Sequence, residues 1–169
     1  MNLYLREIEE DDKKEIEKMA LEFQKANDEY PFEGVSDLKK VIDKSFEEYF
    51  NGLEINKHID EIYPAYANQT TYVLADDSNH IYGLINLRHE LKGKLTEIGG
   101  HIGYGVRPSE RKKGYATLQL KLVLDKLKEL NIDQALITCR ENNIASKKTM
   151  EKFIGKKDTL VPSNHEGIM

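Results

Sequence analysis

The alternation of hydrophobic and polar positions in the first fifty residues predicts one strand and two helices. Residues 3–8 alternate apolar and polar side chains, as in a strand with one buried face. From a predicted cap at Asp12, apolar residues recur every three or four positions as far as Asn27, which indicates an amphipathic helix. A similar pattern begins at Ser36 and ends near residues 51–52, which predicts a second helix.

The rest of the chain predicts a sheet interrupted by helices. Strand-like runs occur at residues 70–75, 81–88, 97–106, 135–139 and 157–161. Helical patterns at residues 116–130 and 146–153 follow the third and fourth of these runs, so the fourth run should lie parallel to the third. The predicted fold class is α/β, of the α+β type, with a mixed, mostly antiparallel sheet flanked by helices. At 169 residues, the chain suits a single domain over residues 1–169.

The loop at residues 107–117 is the first candidate for chemistry. Its basic run at residues 111–113 is followed by Gly114 and then by a helix start. Free N–H groups in the first turn of that helix, together with the helix dipole, favour an anion such as a phosphate or pyrophosphate. The sequence lacks the P-loop pattern, and Pro108 stands where a dinucleotide fingerprint requires its third glycine.

A second polar segment, at residues 139–146, separates the predicted strand at 135–139 from the last predicted helix. The pattern Arg111-x-x-Gly114-x-Ala116, followed about thirty residues later by Asn143, resembles the two CoA-binding motifs of the GNAT superfamily of N-acetyltransferases. The order of the motifs and the helix between them also match that family.

This resemblance implies a GNAT-like acyl-CoA N-acyltransferase fold, with CoA between the fourth and fifth strands. It implies acetyl-CoA as the acyl donor and direct attack by a primary amine. In the family, a backbone N–H of the fourth strand, which maps to about Val106, stabilises the oxyanion. The residues that the resemblance assigns to CoA are Tyr104, Gly105, Val106, Arg111, Lys112, Lys113, Gly114, Tyr115, Ala116, Thr117 and Asn143.

Acetyl transfer to an amine also needs proton transfers. The pKa of a lysine-like amine is about 10.4, so a base must take a proton before attack. His101 and His89 are candidate bases because histidine titrates near neutral pH, and Glu97 is weighed beside them. Tyr104 is the candidate acid for the departing thiolate, since Met150 occupies the family's usual tyrosine position. Each candidate retains a structural alternative, as a hydrogen-bonded histidine, a surface residue or a core aromatic.

Composition limits the partners. A net charge of −5 and a pI of about 5.6 argue against nucleic-acid binding by bulk electrostatics. The sequence has no long apolar run and no signal-peptide pattern, and its one cysteine, Cys139, excludes an internal disulfide. These features predict a cytoplasmic protein without a membrane partner. The histidines and the cysteine lack ligand spacing, so no metal is expected. The expected acceptor is a small-molecule amine or a protein amine.

The family's final strand is not predicted. Residues 163–167 have turn-like composition and are followed only by Ile168 and Met169. An uncovered sheet edge would favour pairing with a second copy, so a homodimer is among the expectations. The favoured function is an acetyl-CoA-dependent N-acetyltransferase. The alternatives are a non-catalytic acyl-CoA-binding or regulatory module, suggested by Met150, and an unrelated phosphate- or nucleotide-binding protein.

Overall fold

Four antiparallel strands form the sheet of the computed structural model, which describes residues 2–153. The spatial order of the strands follows the chain, β1-β2-β3-β4, and each neighbouring pair is antiparallel. The predicted α+β class is therefore confirmed. The strands are β1 (Leu3–Glu7), β2 (Gln69–Asp76), β3 (Ile81–Arg88) and β4 (Ile102–Val106).

Helices cover both faces of this sheet. The first three helices pack on one face, and the last two pack on the other. No helix among the described residues is long and apolar enough to cross a membrane. In the described part of the chain the α-helices are α1 (Lys13–Lys25), α2 (Lys39–Asp43), α3 (Phe46–Asn56), α4 (Ile59–Ile62), α5 (Tyr115–Glu129) and α6 (Ile144–Phe153).

The alternation along β3 gives each face of the sheet its own apolar core. Leu84 joins the cluster beneath α1 to α3, whereas Ile85 and Leu87 join the cluster beneath α5. Because β3 is buried on both faces, it fixes the position of its neighbour β4. The helices contribute the stripes that their sequence periodicity predicts: Ile16, Met19, Ala20 and Phe23 from α1, and Leu120, Val123 and Leu127 from α5.

The second predicted helix is not continuous. A 3-10 turn (Ser36–Leu38) leads into α2, and α3 starts again after the non-helical Lys44, whose φ and ψ are −132° and −98°. Ser45 caps α3, because its side chain accepts a hydrogen bond from the Glu48 backbone N–H at 3.1 Å.

The helix cap predicted at Asp12 is not observed. Asp12 ends a 3-10 turn that begins at Glu10, and its side chain does not cap α1. Its buried carboxylate instead accepts hydrogen bonds from the Glu9 backbone N–H at 2.8 Å and from the Arg6 guanidinium at 2.7 and 2.8 Å.

The strands predicted at residues 97–106 and 135–139 differ from the observed structure. The strand predicted over 97–106 begins only at Ile102, because Gly99 and Gly100 turn the chain with φ of 92° and 60°. The strand predicted at 135–139 is wrong as a continuous element, since only Ile137 makes bridges to the β4 region. The predicted strand at 157–161, the final strand and the sheet edge invoked for a homodimer lie outside the described residues.

Arg107, directly after β4, ties the end of the sheet to α1. Its side chain is buried and donates to Glu15 and Glu22 at 2.7 Å each, and to the Ile81 carbonyl at 3.2 Å. Replacing Arg107 with methionine removes the buried cation that Glu15 and Glu22 share. We expect a loss of about 2 to 3 kcal/mol in the free energy of unfolding, because both carboxylates remain partly solvated. Chemical denaturation measures it.

The matched control is Lys18→Met, which removes an exposed partner of Glu15 and should change stability little. Burial raises the pKa of Glu15 and Glu22, but hydrogen bonds from Arg107, Lys18 and Ser109 lower it more, to below the ordinary 4.5. Such carboxyls stabilise the fold above pH 4.5, and this contribution is lost as pH falls through the folded-state pKa. A stability difference from Arg107→Met that stays constant at acid pH would contradict this assignment.

Candidate active site

Among the described residues, the edge of β4 that faces away from β3 has no partner strand beside Tyr104 and Val106, although the Val106 carbonyl accepts a long hydrogen bond from Arg111 Nε at 3.4 Å. The Arg107 N–H donates to the Tyr82 carbonyl at 2.9 Å, so these two residues form a hydrogen-bonded pair of the antiparallel ladder between β4 and β3. In such a ladder only alternate residues bond to the partner strand. Tyr104 and Val106 therefore direct their N–H and C=O groups away from β3. Both residues are among those that the resemblance assigns to CoA.

A wedge-shaped gap opens beside this edge. The segment that follows α5 meets the β4 region through the bridges of Ile137 to Gly100 and Ile102. Within the described residues, no further bridge joins the two segments towards Val106. The parallel bridge between Ile102 and Ile137 has the predicted orientation, although a full fifth strand does not form. The result is a slot whose walls are the free edge of β4 and residues 138–140.

The slot widens into a cleft of about 1340 Å³. The cleft brings together the two sequence motifs, which lie far apart in the chain. Among the predicted ligand residues, Lys113 is outside the lining, because its ammonium turns to Glu110 at 2.8 Å. The predicted residues that do line the cleft are Tyr104, Gly105, Val106, Arg111, Lys112, Gly114, Tyr115, Ala116, Thr117 and Asn143.

The loop before α5 has the geometry of an anion site. Gly114 is the N-cap of α5 with a φ of 89°, and no side chain caps the helix there. Lys112 also has a positive φ, of 64°. The N–H groups of the first turn of α5 therefore point into the cleft without a helical partner. A Cβ on Gly114 would meet no atom within 4 Å, so the space in front of these N–H groups is open.

Asn143 lies at the opposite wall and begins α6. Its side-chain oxygen accepts a hydrogen bond from the Ser146 N–H at 3.1 Å, and its amide nitrogen donates to Glu33 at 3.4 Å. This asparagine therefore holds the start of α6 against the cleft.

Tyr104 brings a hydroxyl group to the same face of α6. Its phenol lies 2.7 Å from the Ser146 Oγ. Met150 follows Ser146 by one helical turn and is buried, so the usual tyrosine position of the family is occupied by a core side chain. Burial raises the pKa of Tyr104, although the hydrogen bond with Ser146 acts in the opposite direction. The phenol consequently stays protonated at neutral pH.

The two candidate histidines lie outside the cleft lining. His101 is buried, and its Nδ1 accepts a hydrogen bond from the Leu136 N–H at 3.0 Å, so it fastens the segment after α5 to the start of β4. The His89 Nε2 lies 2.9 Å from the Thr70 hydroxyl. Burial lowers the pKa of both histidines. These placements favour structural roles. Glu97, also weighed as a base, is exposed and outside the lining as well.

An acidic segment between α1 and α2, residues 28–34, crosses the cleft; we call it the acidic strap. No local sequence motif predicts its ion pairs. Asp28 binds the Arg111 guanidinium through two hydrogen bonds of 2.9 and 2.8 Å. Glu33 accepts from Arg140 at 2.9 Å. Gly34 packs so closely on β4 that a Cβ there would overlap the Tyr104 carbonyl oxygen.

The strap therefore engages both motifs. Arg111 belongs to the basic loop and Asn143, bound by Glu33, belongs to the second motif. Both contacts join residues more than eighty positions apart.

Among residues 2–153, no group of three histidine, cysteine, aspartate or glutamate side chains is arranged to hold a metal ion.

Comparison with known proteins identifies the family of this chain. The family model described as "Acetyltransferase (GNAT) domain" matches residues 2–153, so the chain belongs to the GNAT family of acetyltransferases, enzymes that transfer an acetyl group from acetyl-CoA to an amine. The predicted resemblance is thus confirmed over nearly the whole chain. No curated protein sequence gives a significant match.

Solved structures with the same fold include RimL, a ribosomal L7/L12 α-N-protein acetyltransferase in complex with coenzyme A. It superposes with a TM-score of 0.61 at 16% identity, covering 90% of this chain and 79% of that chain. A spermidine N-acetyltransferase from Vibrio cholerae, in complex with CoA and spermine, has a TM-score of 0.55 at 16% identity, covering 98% and 91%. An acetyltransferase from Agrobacterium tumefaciens has a TM-score of 0.52 at 14% identity, covering 98% and 86%.

Proposed function

We propose that this chain, as a single domain, transfers the acetyl group of acetyl-CoA to a primary amine by direct attack in the cleft beside β4. The observation that carries the proposal is the meeting of two features in one cleft. These are the backbone N–H groups of Tyr104 and Val106, which face away from β3, and the open, positively polarised turn at Gly114.

The residues present fit acetyl-CoA as the donor substrate. Its pyrophosphate would accept hydrogen bonds from the backbone N–H groups of residues 112–117, where the space in front of Gly114 is open. Its pantetheine arm would pair with the free edge of β4 at Tyr104 and Val106, as an added strand does. A β4 N–H would also stabilise the oxyanion that forms during attack. The complexes of RimL and the V. cholerae enzyme with CoA support this choice of donor.

Attack forms a C–N bond and breaks the C–S bond of the thioester. The amine loses one proton, and the departing thiolate gains one. We assign the second transfer to the Tyr104 phenol, which lies at the slot with its hydroxyl held by Ser146. The proton of the amine has no assigned acceptor, because His101 and His89 lie outside the cleft lining.

The acceptor belongs to the same proposal as a small-molecule amine or a protein amine. The related structures span both classes, since RimL is named for a ribosomal protein and the V. cholerae enzyme for spermidine. Cys139 is a free, buried thiol, which supports the expected cytoplasmic location.

Amine-dependent release of the CoA thiol tests this function. Acetyl-CoA is supplied with a panel of protein N-terminal peptides, polyamines and amino acids, and the acetylated product is identified by mass spectrometry. We expect saturable turnover with at least one amine. The buried Met150 favours a second candidate, a non-catalytic acyl-CoA-binding module. Stabilisation of the fold by acetyl-CoA without turnover of any amine would select that candidate.

The ion pair between Asp28 and Arg111 competes with the donor for the basic loop. We expect Asp28→Asn to lower the Kd of acetyl-CoA about two- to five-fold, because a solvent-accessible pair contributes up to about 1 kcal/mol. Isothermal titration measures the change. Asp125→Asn, which breaks an exposed ion pair with Lys128 on α5, is the matched control and should leave the Kd unchanged. Weaker binding in Asp28→Asn would rule out competition between Asp28 and the donor.

A further inference from the structure

Arg88 stands apart from the other arginines of the chain. The four others, Arg6, Arg107, Arg111 and Arg140, each bind a carboxylate at 2.7 to 2.9 Å. Arg88 has no such partner within the described residues. Its hydrogen bonds run from Nη1 to the carbonyl groups of the 99–100 turn, at 3.3 and 3.1 Å. Nη2 and Nε make no hydrogen bond to any of the described residues.

The surroundings of Arg88 do not compensate its charge. The side chain is partly buried in the cleft lining, and burial lowers its pKa while the charge of Asp37 acts in the opposite direction. Asp37 itself is engaged by Lys40 and Asn56, each at 3.2 Å. A cation that is partly removed from water without a counter-ion binds an anion strongly when one becomes available.

The position of Arg88 assigns it to the acceptor end of the cleft. Gly83, at the start of β3, pairs with Val106 beside the basic loop, whereas Leu87 pairs with Ile102 at the other end of β4. Four residues of strand separate the two ends, or about 13 Å. Because the donor enters over the basic loop, the group that reaches Arg88 belongs to the other substrate.

Asn86 supplies a second unsatisfied group on the same face of β3. Its amide nitrogen donates to the Thr71 hydroxyl at 3.0 Å, while its Oδ1 is buried without a hydrogen-bond partner among the described residues. Asn86 lies opposite Gly103, against which the backbone of Gly34 packs. Residues two apart on a strand lie about 7 Å apart. The Asn86 Oδ1, which can accept a hydrogen bond, and the Arg88 cation thus match a molecule that carries both an amine and an anion.

We propose that Arg88 is a specificity residue that binds a carboxylate of the acceptor, with the acceptor's amine directed towards Asn86 and the thioester. The acceptor class is then a small primary amine that also carries a carboxylate, such as an amino acid, and not a polyamine. This inference rests on the proposed function of the cleft.

The test compares acceptors that differ only in the carboxylate. Glycine, β-alanine, γ-aminobutyrate and 5-aminovalerate are each compared with the alkylamine that lacks the carboxylate, and spermidine is added as a polyamine. Amine-dependent release of the CoA thiol gives kcat/KM for the wild type, Arg88→Met and Arg88→Lys. We expect at least one amino acid to exceed its alkylamine at least ten-fold in the wild type. Arg88→Met should remove this preference through KM and reduce turnover of the alkylamine far less than that of the amino acid, and Arg88→Lys should retain part of the preference.

Equal losses for both acceptors in Arg88→Met, or a wild-type preference for spermidine, would overturn the proposal. Titration of the same ligands into the protein saturated with CoA provides a readout that does not depend on turnover. Binding of a carboxylate-bearing amine that is lost in Arg88→Met supports the role of Arg88 even if no acetylation is seen, in which case only the proposed function fails. Absence of binding by every such amine overturns the role of Arg88 while leaving the donor site intact. Melting temperatures without ligand verify that both variants fold.

Discussion

Replacing Gly114 with glutamate is expected to abolish the binding of acetyl-CoA. Gly114 has a φ of 89° and faces open space in front of the first turn of α5. A glutamate side chain would fill the space in which a pyrophosphate approaches the backbone, and its charge would repel the phosphates. The wild type should melt at a higher temperature with acetyl-CoA than with ATP or NAD, and the Gly114→Glu variant should show no shift.

Gly93→Glu is the matched control for backbone strain. Gly93 also has a positive φ, of 53°, and a Cβ there would also meet no atom within 4 Å, but it lies outside the cleft lining. It should lose intrinsic stability like Gly114→Glu and yet keep the full shift with acetyl-CoA. An undiminished shift in Gly114→Glu would place the donor elsewhere.

Replacing Tyr104 with phenylalanine is expected to reduce kcat about a hundred-fold or more, the usual contribution of general acid catalysis. The variant loses only the hydroxyl that lies 2.7 Å from Ser146, so the β4 backbone and the apolar contacts of the ring remain. The Kd of acetyl-CoA should therefore stay constant. A thioester with a leaving group of lower pKa should recover much of the rate, because its thiolate needs no proton.

Tyr72→Phe serves as the control, since Tyr72 packs against the same apolar cluster from β2 and lies outside the cleft lining. Its turnover should equal that of the wild type. Ser146→Ala should lie between the two, because the serine orients the phenol without replacing it. Unchanged kcat in Tyr104→Phe would show that another group protonates the thiolate.

The parts of the fold that the sequence predicted well are those that local periodicity determines. The strand at 81–88 was predicted at its observed bounds, and the stripe of α5 buries as expected. The break at Lys44 was missed, although the Ser45-x-x-Glu48 pattern of a capping box marks it. The strand at 135–139 was wrong because its pairing depends on Ile137 meeting β4, which periodicity does not describe.

In the candidate site, too, contiguous features could be predicted from the sequence and long-range contacts could not. The basic loop is one contiguous segment, so its residues and the glycine that turns it could be predicted together. The strap could not, because Asp28 reaches Arg111 across 83 positions. His101 looked suitable as a base in isolation, but its partner Leu136 is 35 positions away and occupies its Nδ1. Arg88 alternates with the apolar Leu87 in the sequence, but this pattern alone does not indicate a function. Its role was inferred because no carboxylate among the described residues binds it.

Hydrogen exchange of the protein with and without saturating acetyl-CoA, followed by mass spectrometry, tests the central claim most directly. The account predicts slower exchange at the amides of Tyr104 and Val106 and across residues 112–117, because these N–H groups would bind the donor. Peptides from β1, the opposite edge strand of the sheet, which contributes no residue to the cleft lining, should be unchanged. Protection confined to segments outside the cleft, or none at β4 and the basic loop under saturating donor, would contradict the placement of the active site.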